Sequence, residues 1–179
     1  MVYIILGAGF EESEAIVPCD LLRRAGVETR LAGIGGLEIT GGHGITVRAD
    51  CTVEQTDLTE AEMLILPGGL GGVRSICDSQ AVLSALKTVD ARGGYAAAIC
   101  AAPTVLAKLG LTDGKAATCY PGMENEMSDA RMTGAPAVRD GRVITGKAAG
   151  TAFDFGLLLV ETLCGAETAQ KVKAAVVYR

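Results

Sequence analysis

The sequence predicts the α/β fold class, with a mostly parallel sheet covered by helices on both faces. Short apolar runs of strand length alternate with longer segments whose apolar residues have helical spacing. Gly26 and Gly110 follow two of these helical segments, where glycine is typical of a helix end. Strands joined by crossover helices pair in parallel, so these observations favour one open sheet. Residues 1–179 are enough for one well-packed domain and too few for two ordinary ones.

The first half of the chain begins with a βαβ unit. Its predicted elements are a strand over Val2–Leu6, a helix over Ser13–Ala25 and a strand over Val27–Ile34. The segments Ile39–Thr40 and Ile45–Ala49 flank Gly41-Gly42-His43-Gly44, and this pattern predicts a small hairpin at an edge of the sheet. Met63–Leu66 is uniformly apolar, as expected of a strand that is buried on both faces.

The second half continues the alternation and ends in helices. The predicted elements are a helix over Gln80–Arg92, a strand over Tyr95–Ile99, a helix over 102–109, strands over Ala116–Cys119, Ala137–Arg139 and Val143–Thr145, and helices over Thr151–Cys164 and Ala166–Ala174. Asp140-Gly141 between two of these strands is a hairpin signal. Since no linker or repeat interrupts the pattern, we expect a single domain over residues 1–179.

Composition excludes several classes of partner. The chain is 49% hydrophobic with a formal net charge of −5 at pH 7, and it has no cluster of lysine and arginine. Nucleic acids and anionic membranes bind basic patches, so we expect neither as a partner. The first residues, Met1–Gly7, carry no basic leader and amount to one strand, which argues against a signal peptide or a membrane span. We therefore expect a cytoplasmic protein.

Cysteine usage argues against a metal site. The six cysteines include no C-x-x-C pair, and His43 is the only histidine, so we expect no zinc or iron–sulfur centre. In a reducing compartment most of the cysteines are predicted to be buried apolar residues. Cys19 and Cys164 fall on apolar helix faces and should be inert, whereas the pattern does not rank Cys51, Cys77 and Cys119.

Cys100 has the surroundings that favour a reactive thiol. The small apolar run Ala96–Ala102 places it at the carboxyl end of a predicted central strand, just before the helix that begins near Pro103. Ligands of open parallel sheets bind outside the strand carboxyl ends, and a helix N-terminus favours thiolate over thiol. The alternative is that Cys100 is an ordinary small core residue.

Two further turns are expected at the same end of the sheet. Gly7-x-Gly9 resembles the start of a dinucleotide-binding loop, but the third glycine is missing and three acids crowd the helix start, so we exclude a dinucleotide. By default, Glu11 and Glu12 stabilise the helix dipole there. Pro67-Gly68-Gly69 lets the backbone approach an anion, although such a turn is often only a tight strand exit.

Four of these segments together resemble a known family. They are Glu11-Glu12-Ser13-Glu14-Ala15, Arg23-Arg24-Ala25-Gly26, Leu66-Pro67-Gly68-Gly69 and Ala98-Ile99-Cys100-Ala101-Ala102-Pro103. In order and spacing they are similar to the ThiJ/PfpI superfamily, and within it to the branch of the parkinsonism-associated protein deglycase and its bacterial relatives. The resemblance covers nearly the whole chain. It implies a flavodoxin-like three-layer α/β/α sandwich, a homodimer, no cofactor, a nucleophilic and oxidisable Cys100, and Glu14 as its acidic partner.

The implied pair of Glu14 and Cys100 predicts chemistry on aldehydes. Two negative charges in a desolvated pocket are disfavoured, so we expect the pair to share one proton, held by Glu14 with the sulfur as thiolate. The amides of Gly68, Gly69 and Ala101 are candidates for holding oxyanion charge. Such a site can add to methylglyoxal or glyoxal, and Glu14 could then move protons between adjacent carbons to release a hydroxy acid.

The sequence departs from the family pattern at positions near the predicted site. Relatives often carry a histidine where this chain has Tyr120, so a Cys-His-acid triad is not available there, and a phenol is a poor base at neutral pH. Ala101 stands where protease-like members carry histidine, so we expect no peptidase activity. His43 is expected to be an exposed turn residue. The resemblance places it where relatives can carry an arginine near the site, so contact with an anion stays open.

Two functions stay open at this point. One is a glyoxalase or deglycase that acts on dicarbonyls or on their adducts, including glycated proteins. The other is a non-catalytic redox sensor or chaperone controlled by oxidation of Cys100. The resemblance also places Asp20, Arg23 and Arg24 at the subunit interface, although these residues alone would be an ordinary charged helix face.

Overall fold

Seven strands form the central sheet of the computed structural model, which describes residues 1–179. The strands of the chain are β1 (Val2–Leu6), β2 (Thr29–Gly33), β3 (Glu38–Thr40), β4 (Thr46–Arg48), β5 (Cys51–Thr52), β6 (Met63–Leu66), β7 (Tyr95–Ile99), β8 (Ala116–Ala117), β9 (Arg131–Met132), β10 (Ala137–Asp140) and β11 (Val143–Gly146). The sheet order is β10-β11-β7-β6-β1-β2-β5. Only β10 and β11 pair in antiparallel fashion, so the sheet is mostly parallel, as the sequence predicts.

Six α-helices connect and cover the strands. They are α1 (Glu12–Arg24), α2 (Leu70–Asp78), α3 (Gln80–Ala91), α4 (Pro103–Lys108), α5 (Ala152–Cys164) and α6 (Ala166–Ala175). Short 3-10 segments lie at Val53–Gln55, Leu58–Glu60, Glu124–Glu126 and Ala149–Thr151. None of the helices has the length and apolar character needed to cross a membrane.

The alternation of side chains along β1 explains the two helical layers. Ile4 and its even-numbered neighbours pack with buried residues of α1, α5 and α6. Tyr3 and Ile5 face the other way and pack with buried residues of α2, α3 and α4. Because both faces of β1 are covered, every residue of the strand is buried and apolar. The three-layer α/β/α arrangement predicted from the sequence is therefore confirmed.

The element boundaries match the predicted ones to within two residues, but one helix has no predicted counterpart. The sequence pattern predicts no helix for the segment after Pro67-Gly68-Gly69, where α2 forms. Gly71 and Gly72 lie in its first turn, and glycine disfavours helix by about 1 kcal/mol per residue relative to alanine. Tertiary packing overrides this preference, because an added Cβ on Gly72 would lie 2.7 Å from the Cα of Phe10.

The predicted hairpin is present as a separate two-stranded sheet of β3 and β4. It does not extend the central sheet, whose edge is formed by the short strand β5. Its backbone instead bonds to the turn after β1: Gly9 N–H donates to Thr40 O at 2.8 Å, and Gly42 N–H donates to Phe10 O at 2.8 Å. The hairpin is thereby fixed beside the start of α1.

The predicted strand near residue 116 is shorter than expected. β8 pairs with β9 outside the central sheet. The chain then leaves regular structure, because Thr118 N–H donates to the Thr145 hydroxyl and Tyr120 N–H donates to Cys100 O. These two bonds bring the segment after β8 alongside the carboxyl end of β7.

The contact between α1 and α5 depends on a glycine. An added Cβ on Gly156 would lie 2.7 Å from Leu21 Cδ1 and 3.2 Å from the Cα of Pro18. We expect Gly156→Ala to lower the free energy of unfolding by about 1 kcal/mol, since overpacking outweighs the better helix propensity of alanine. Urea unfolding measures this. Gly150→Ala is the control, because Gly150 is exposed with open space around it and should lose no stability. Equal stability of wild type and Gly156→Ala would contradict the close contact.

Candidate active site

Cys100 occupies a sharp turn between β7 and the start of α4. Its φ of 66° is in the left-handed region, which residues other than glycine rarely adopt and which costs on the order of 1–3 kcal/mol. Two backbone bonds hold this conformation. Cys100 N–H donates to Gly146 O at 3.0 Å, and Cys100 O accepts from Tyr120 N–H at 2.8 Å. The sharp strand-to-helix turn at Cys100 is thus present, and its side chain is half-buried.

Glu14 reaches the same place from the first turn of α1. It is fully buried, and its Oε2 accepts a hydrogen bond from Gly68 N–H at 2.8 Å. Its other oxygen, Oε1, has no hydrogen-bond partner. An added Cβ on Gly68 would lie 2.6 Å from Glu14 Oε2 and 2.7 Å from Cys100 Cβ. The absence of a side chain at Gly68 therefore allows the carboxyl group and the cysteine to approach each other.

Glu14 and Cys100 are coupled electrostatically, and burial raises the pKa of both groups. Burial raises the pKa of Glu14 to about 7. Burial and the adjacent Glu14 carboxylate raise the pKa of Cys100 to about 12, although the N–H groups of Ala101 and Gly69 act in the opposite direction. Because each group acts on the pKa of the other, the two titrate as one unit. The expectation that the pair shares one proton, with the sulfur as thiolate, stays a prediction.

An open cavity of about 500 Å³ lies against Cys100. Its lining residues are Glu11, Gly69, Leu70, Cys100, Ala101, Tyr120, Pro121, Gly122 and Met123. The volume lies within the range that is usual for small-molecule sites. The structure thus brings together a half-buried thiol, a buried carboxyl group and an open cavity at the carboxyl end of the central strands.

The residues predicted to stabilise an oxyanion have different partners. Gly69 and Ala101 direct their N–H groups at the Cys100 sulfur. Gly68 N–H is used by Glu14, so it positions the base and is not free to hold a developing charge on the substrate. Tyr120 lines the cavity, and its side chain is about half exposed.

Residues 1–162 match the DJ-1/PfpI family. The chain belongs to this family. It is 38% identical over 172 residues to the protein dj-1beta of Drosophila melanogaster, which covers 94% of this chain and 92% of that one. It is 33% identical over 159 residues to the glutathione-independent glyoxalase DJR-1.2 of Caenorhabditis elegans, covering 88% of this chain and 84% of that one.

A solved structure of a DJ-1/PfpI protein confirms the fold. The crystal structure of Drosophila melanogaster DJ-1beta superposes with a TM-score of 0.94 at 36% identity, and the match covers 99% of this chain and 97% of that one. The flavodoxin-like arrangement implied by the sequence resemblance is therefore correct. The ThiJ/PfpI membership inferred from the motifs is likewise confirmed.

His43 of this DJ-1/PfpI chain does not line the Cys100 cavity. Glu12 Oε1 accepts from His43 N–H at 2.8 Å, and Glu12 Oε2 lies 2.8 Å from His43 Nδ1. Burial opposes ionisation of Glu12, but the hydrogen bonds from His43 prevail and lower its pKa to about 2. The bond to Glu12 in turn raises the pKa of His43. Glu12 thus fixes the hairpin turn, a role that the sequence analysis missed because the partners are 31 residues apart.

Glu11, Glu12 and His43 are the residues that could hold a metal ion in this DJ-1/PfpI chain. Their ligand atoms all lie within 4.8 Å of one another. His43 Nδ1, however, is engaged by Glu12, and the histidine side chain is largely exposed. The expectation that the protein uses no metal stays a prediction.

The charged residues expected at a DJ-1/PfpI subunit interface form ion pairs within the chain. Arg24 Nε donates to Asp20 Oδ2 at 2.7 Å, one helical turn away. Arg23 Nη2 donates to Asp50 Oδ2 at 2.6 Å and so connects α1 to the loop before β5. All of these side chains are partly exposed. Their role in a dimer stays a prediction.

Sequence reasoning missed three apolar residues of the cavity: Leu70, Pro121 and Met123. Leu70 begins α2, so prediction of that helix would have placed it beside the Gly68-Gly69 turn. Pro121 and Met123 follow Tyr120 in irregular structure, where no periodic signal indicates a direction for a side chain.

Proposed function

We propose that this protein is a cysteine-dependent, cofactor-independent enzyme that converts reactive dicarbonyls such as methylglyoxal into hydroxy acids. The same chemistry could act on adducts of dicarbonyls with thiols and amines, including glycated proteins. The observation that carries the proposal is the buried Glu14 carboxyl, with a pKa of about 7, beside Cys100 at the base of an open cavity. A related protein of Caenorhabditis elegans is named a glutathione-independent glyoxalase.

The first step is addition of the thiol to the aldehyde. The Glu14 carboxylate takes the proton of Cys100 as the sulfur attacks the aldehyde carbon. The carbon–sulfur bond forms, and the carbonyl oxygen becomes an alkoxide that recovers this proton from Glu14. The product is a hemithioacetal on Cys100. The N–H groups of Gly69 and Ala101 stabilise negative charge on the sulfur while the proton is away.

The second step moves hydrogen between the two adjacent carbons of the substrate. Glu14 removes the proton from the former aldehyde carbon, which gives an enediolate, and a proton returns to the neighbouring carbon. A hydroxyl proton passes from one substrate oxygen to the other, so the first carbon is oxidised to a thioester while the second is reduced to an alcohol. Water then cleaves the thioester, releasing the hydroxy acid and regenerating the thiol. No external oxidant or reductant is consumed.

A second candidate function is redox sensing by Cys100, with chaperone-like protection of other proteins as the output. It is favoured by the partial exposure of Cys100 and by the amides directed at its sulfur, which would also stabilise an oxidised, anionic sulfur. Redox sensing requires no substrate space, whereas the open cavity against Cys100 has room for a substrate. We therefore favour the enzyme. As in the sequence analysis, we propose a cytoplasmic homodimer, and light scattering that gives a monomer mass would contradict the dimer.

The test is multiple turnover of methylglyoxal by the wild-type protein without glutathione. We expect lactate in many-fold excess over protein, because the thiol is regenerated in each cycle. Intact mass after peroxide treatment is measured on the same samples. One equivalent of adduct with no lactate, together with a selective gain of two oxygens at Cys100, would exclude the enzyme in favour of the sensor.

A further inference from the structure

The cavity against Cys100 is larger and more apolar than a methyl-substituted dicarbonyl requires. We propose that it selects uncharged oxoaldehydes that carry an aryl or branched alkyl group, and that it discriminates against anionic ones. This inference rests on the proposed function and names its substrate class.

The cavity is large for a substrate with a methyl substituent. The cavity volume of about 500 Å³ is suited to a ligand of many heavy atoms, whereas the substituent of methylglyoxal is one methyl group. Leu70, Pro121 and Met123 line the space around Cys100. Leu70 is 75% exposed, an unusual degree for a leucine that lies next to a nucleophile. An apolar substituent would cover this surface and remove it from water.

Tyr120 is the aromatic residue of the cavity lining. Its backbone N–H donates to Cys100 O at 2.8 Å, so its backbone is held beside Cys100. The residue is about half exposed, so its ring is accessible for stacking with an aryl group. Tyr120 is therefore assigned as a specificity-determining residue and not as a base.

The charges around the cavity favour uncharged substrates. None of the residues that line the cavity is basic, and the one charged residue among them is Glu11. The Glu14 carboxyl lies behind the cysteine and adds negative charge above pH 7. His43 Nδ1 lies 3.6 Å from Glu11 Oε2, but it lies closer to Glu12 Oε2, at 2.8 Å. A carboxylate or phosphate on the substrate would therefore meet repulsion in a partly desolvated space.

The first experiment compares kcat/KM for methylglyoxal, phenylglyoxal and 4-carboxyphenylglyoxal, from initial rates of hydroxy acid formation. We expect phenylglyoxal to exceed methylglyoxal by at least about tenfold, the discrimination that even one methylene provides in an apolar pocket. We expect 4-carboxyphenylglyoxal to fall below phenylglyoxal by a similar factor. Leu70→Ser should lower the phenyl-to-methyl ratio, and Glu11→Gln should raise the rate with the carboxylated substrate. Val177→Ser, at an exposed residue outside the cavity, is the control and should keep both ratios.

The second experiment measures the cavity independently of turnover. Cys100 is alkylated with iodoacetamide, N-phenyl iodoacetamide and iodoacetate, and each rate is divided by that of Cys77, which is half-exposed on α2, in the same digest. We expect the relative rate at Cys100 to be highest for N-phenyl iodoacetamide, lower for iodoacetamide and lowest for iodoacetate. Equal relative rates for the three reagents would overturn the proposed selectivity of the cavity, regardless of which substrates the protein converts. The expected order with no turnover of any oxoaldehyde would overturn the proposed function and leave the selectivity of the cavity intact.

Discussion

Cys100→Ser is expected to lower kcat/KM for methylglyoxal by at least about a thousandfold, because every covalent step of the proposed reaction passes through the sulfur. A serine hydroxyl is far less acidic than a thiol and is a poorer nucleophile, so its addition to the aldehyde is much slower. Lactate formation by chromatography measures the loss. The substitution is nearly isosteric, so the fold should persist and the loss should be chemical.

Two controls make this result specific. Cys77→Ser changes another half-exposed cysteine on α2 and should keep nearly full activity. Thermal unfolding should show Cys100→Ser folded, since serine can occupy the same left-handed turn. Residual activity within about tenfold of wild type would mean that Cys100 is not the nucleophile.

Glu14→Gln is expected to lower kcat/KM by about a hundredfold or more, since it removes the base but keeps an acceptor for Gly68 N–H. In the wild type, kcat/KM should rise as pH passes through about 7, because the Glu14 carboxylate is the form that accepts the proton of Cys100. The variant should lack this rise. A pH profile that is unchanged in Glu14→Gln would assign the titration to another group.

The same substitution is expected to stabilise the protein at alkaline pH. The folded-state pKa of Glu14 is raised from 4.5 to about 7, so ionisation disfavours the folded state. The contribution of Glu14 to the free energy of unfolding is therefore fully present below about pH 4.5 and is lost as pH rises through about 7. Since one pKa unit corresponds to about 1.4 kcal/mol, the loss amounts to roughly 3 kcal/mol. Glutamine carries no charge and avoids this loss. Urea unfolding at pH 5 and pH 8 should show a gain for Glu14→Gln only at pH 8.

Glu12→Gln is the matched control. Glu12 lies two residues before Glu14, and its pKa is lowered in the folded state, whereas that of Glu14 is raised. Because its pKa is lowered to about 2 in the folded state, the Glu12 carboxylate stabilises the protein above the unfolded pKa, and that stability is lost as pH falls through about 2. At pH 8 this variant should be less stable than wild type. If Glu14→Gln and Glu12→Gln change the free energy of unfolding at pH 8 in the same direction, the opposite pKa shifts assigned to the two carboxyl groups are wrong.

Local patterns predict most of the fold and the position of Cys100 in a sharp strand-to-helix turn. The uniformly apolar β1 and β6 specify strands that are covered on both faces, and the small residues around Cys100 indicate a tight strand exit. The helix α2 was missed because its two glycines argue against helix locally, while its packing against Phe10 is a long-range contact. In α2 the local sequence disfavours a helix, whereas packing in the folded protein favours one.

The chemistry of the site was less predictable than its location. The pairing of Glu14 with Cys100 followed from a family resemblance, whereas the location of the shared proton depends on burial. Burial results from the whole fold, so no single segment of sequence reveals it. The bond between Glu12 and the His43 turn likewise joins residues that are distant along the chain.

The left-handed backbone at Cys100 limits which residues can replace the cysteine. Glycine adopts such a φ freely, so Cys100→Gly would relieve the turn and gain on the order of 1 kcal/mol at the expense of the nucleophile. Valine, isoleucine and threonine are disfavoured at this position, because side chains that branch at Cβ rarely adopt a positive φ. Among substitutions that remove the thiol, glycine is therefore the one that this backbone conformation favours most.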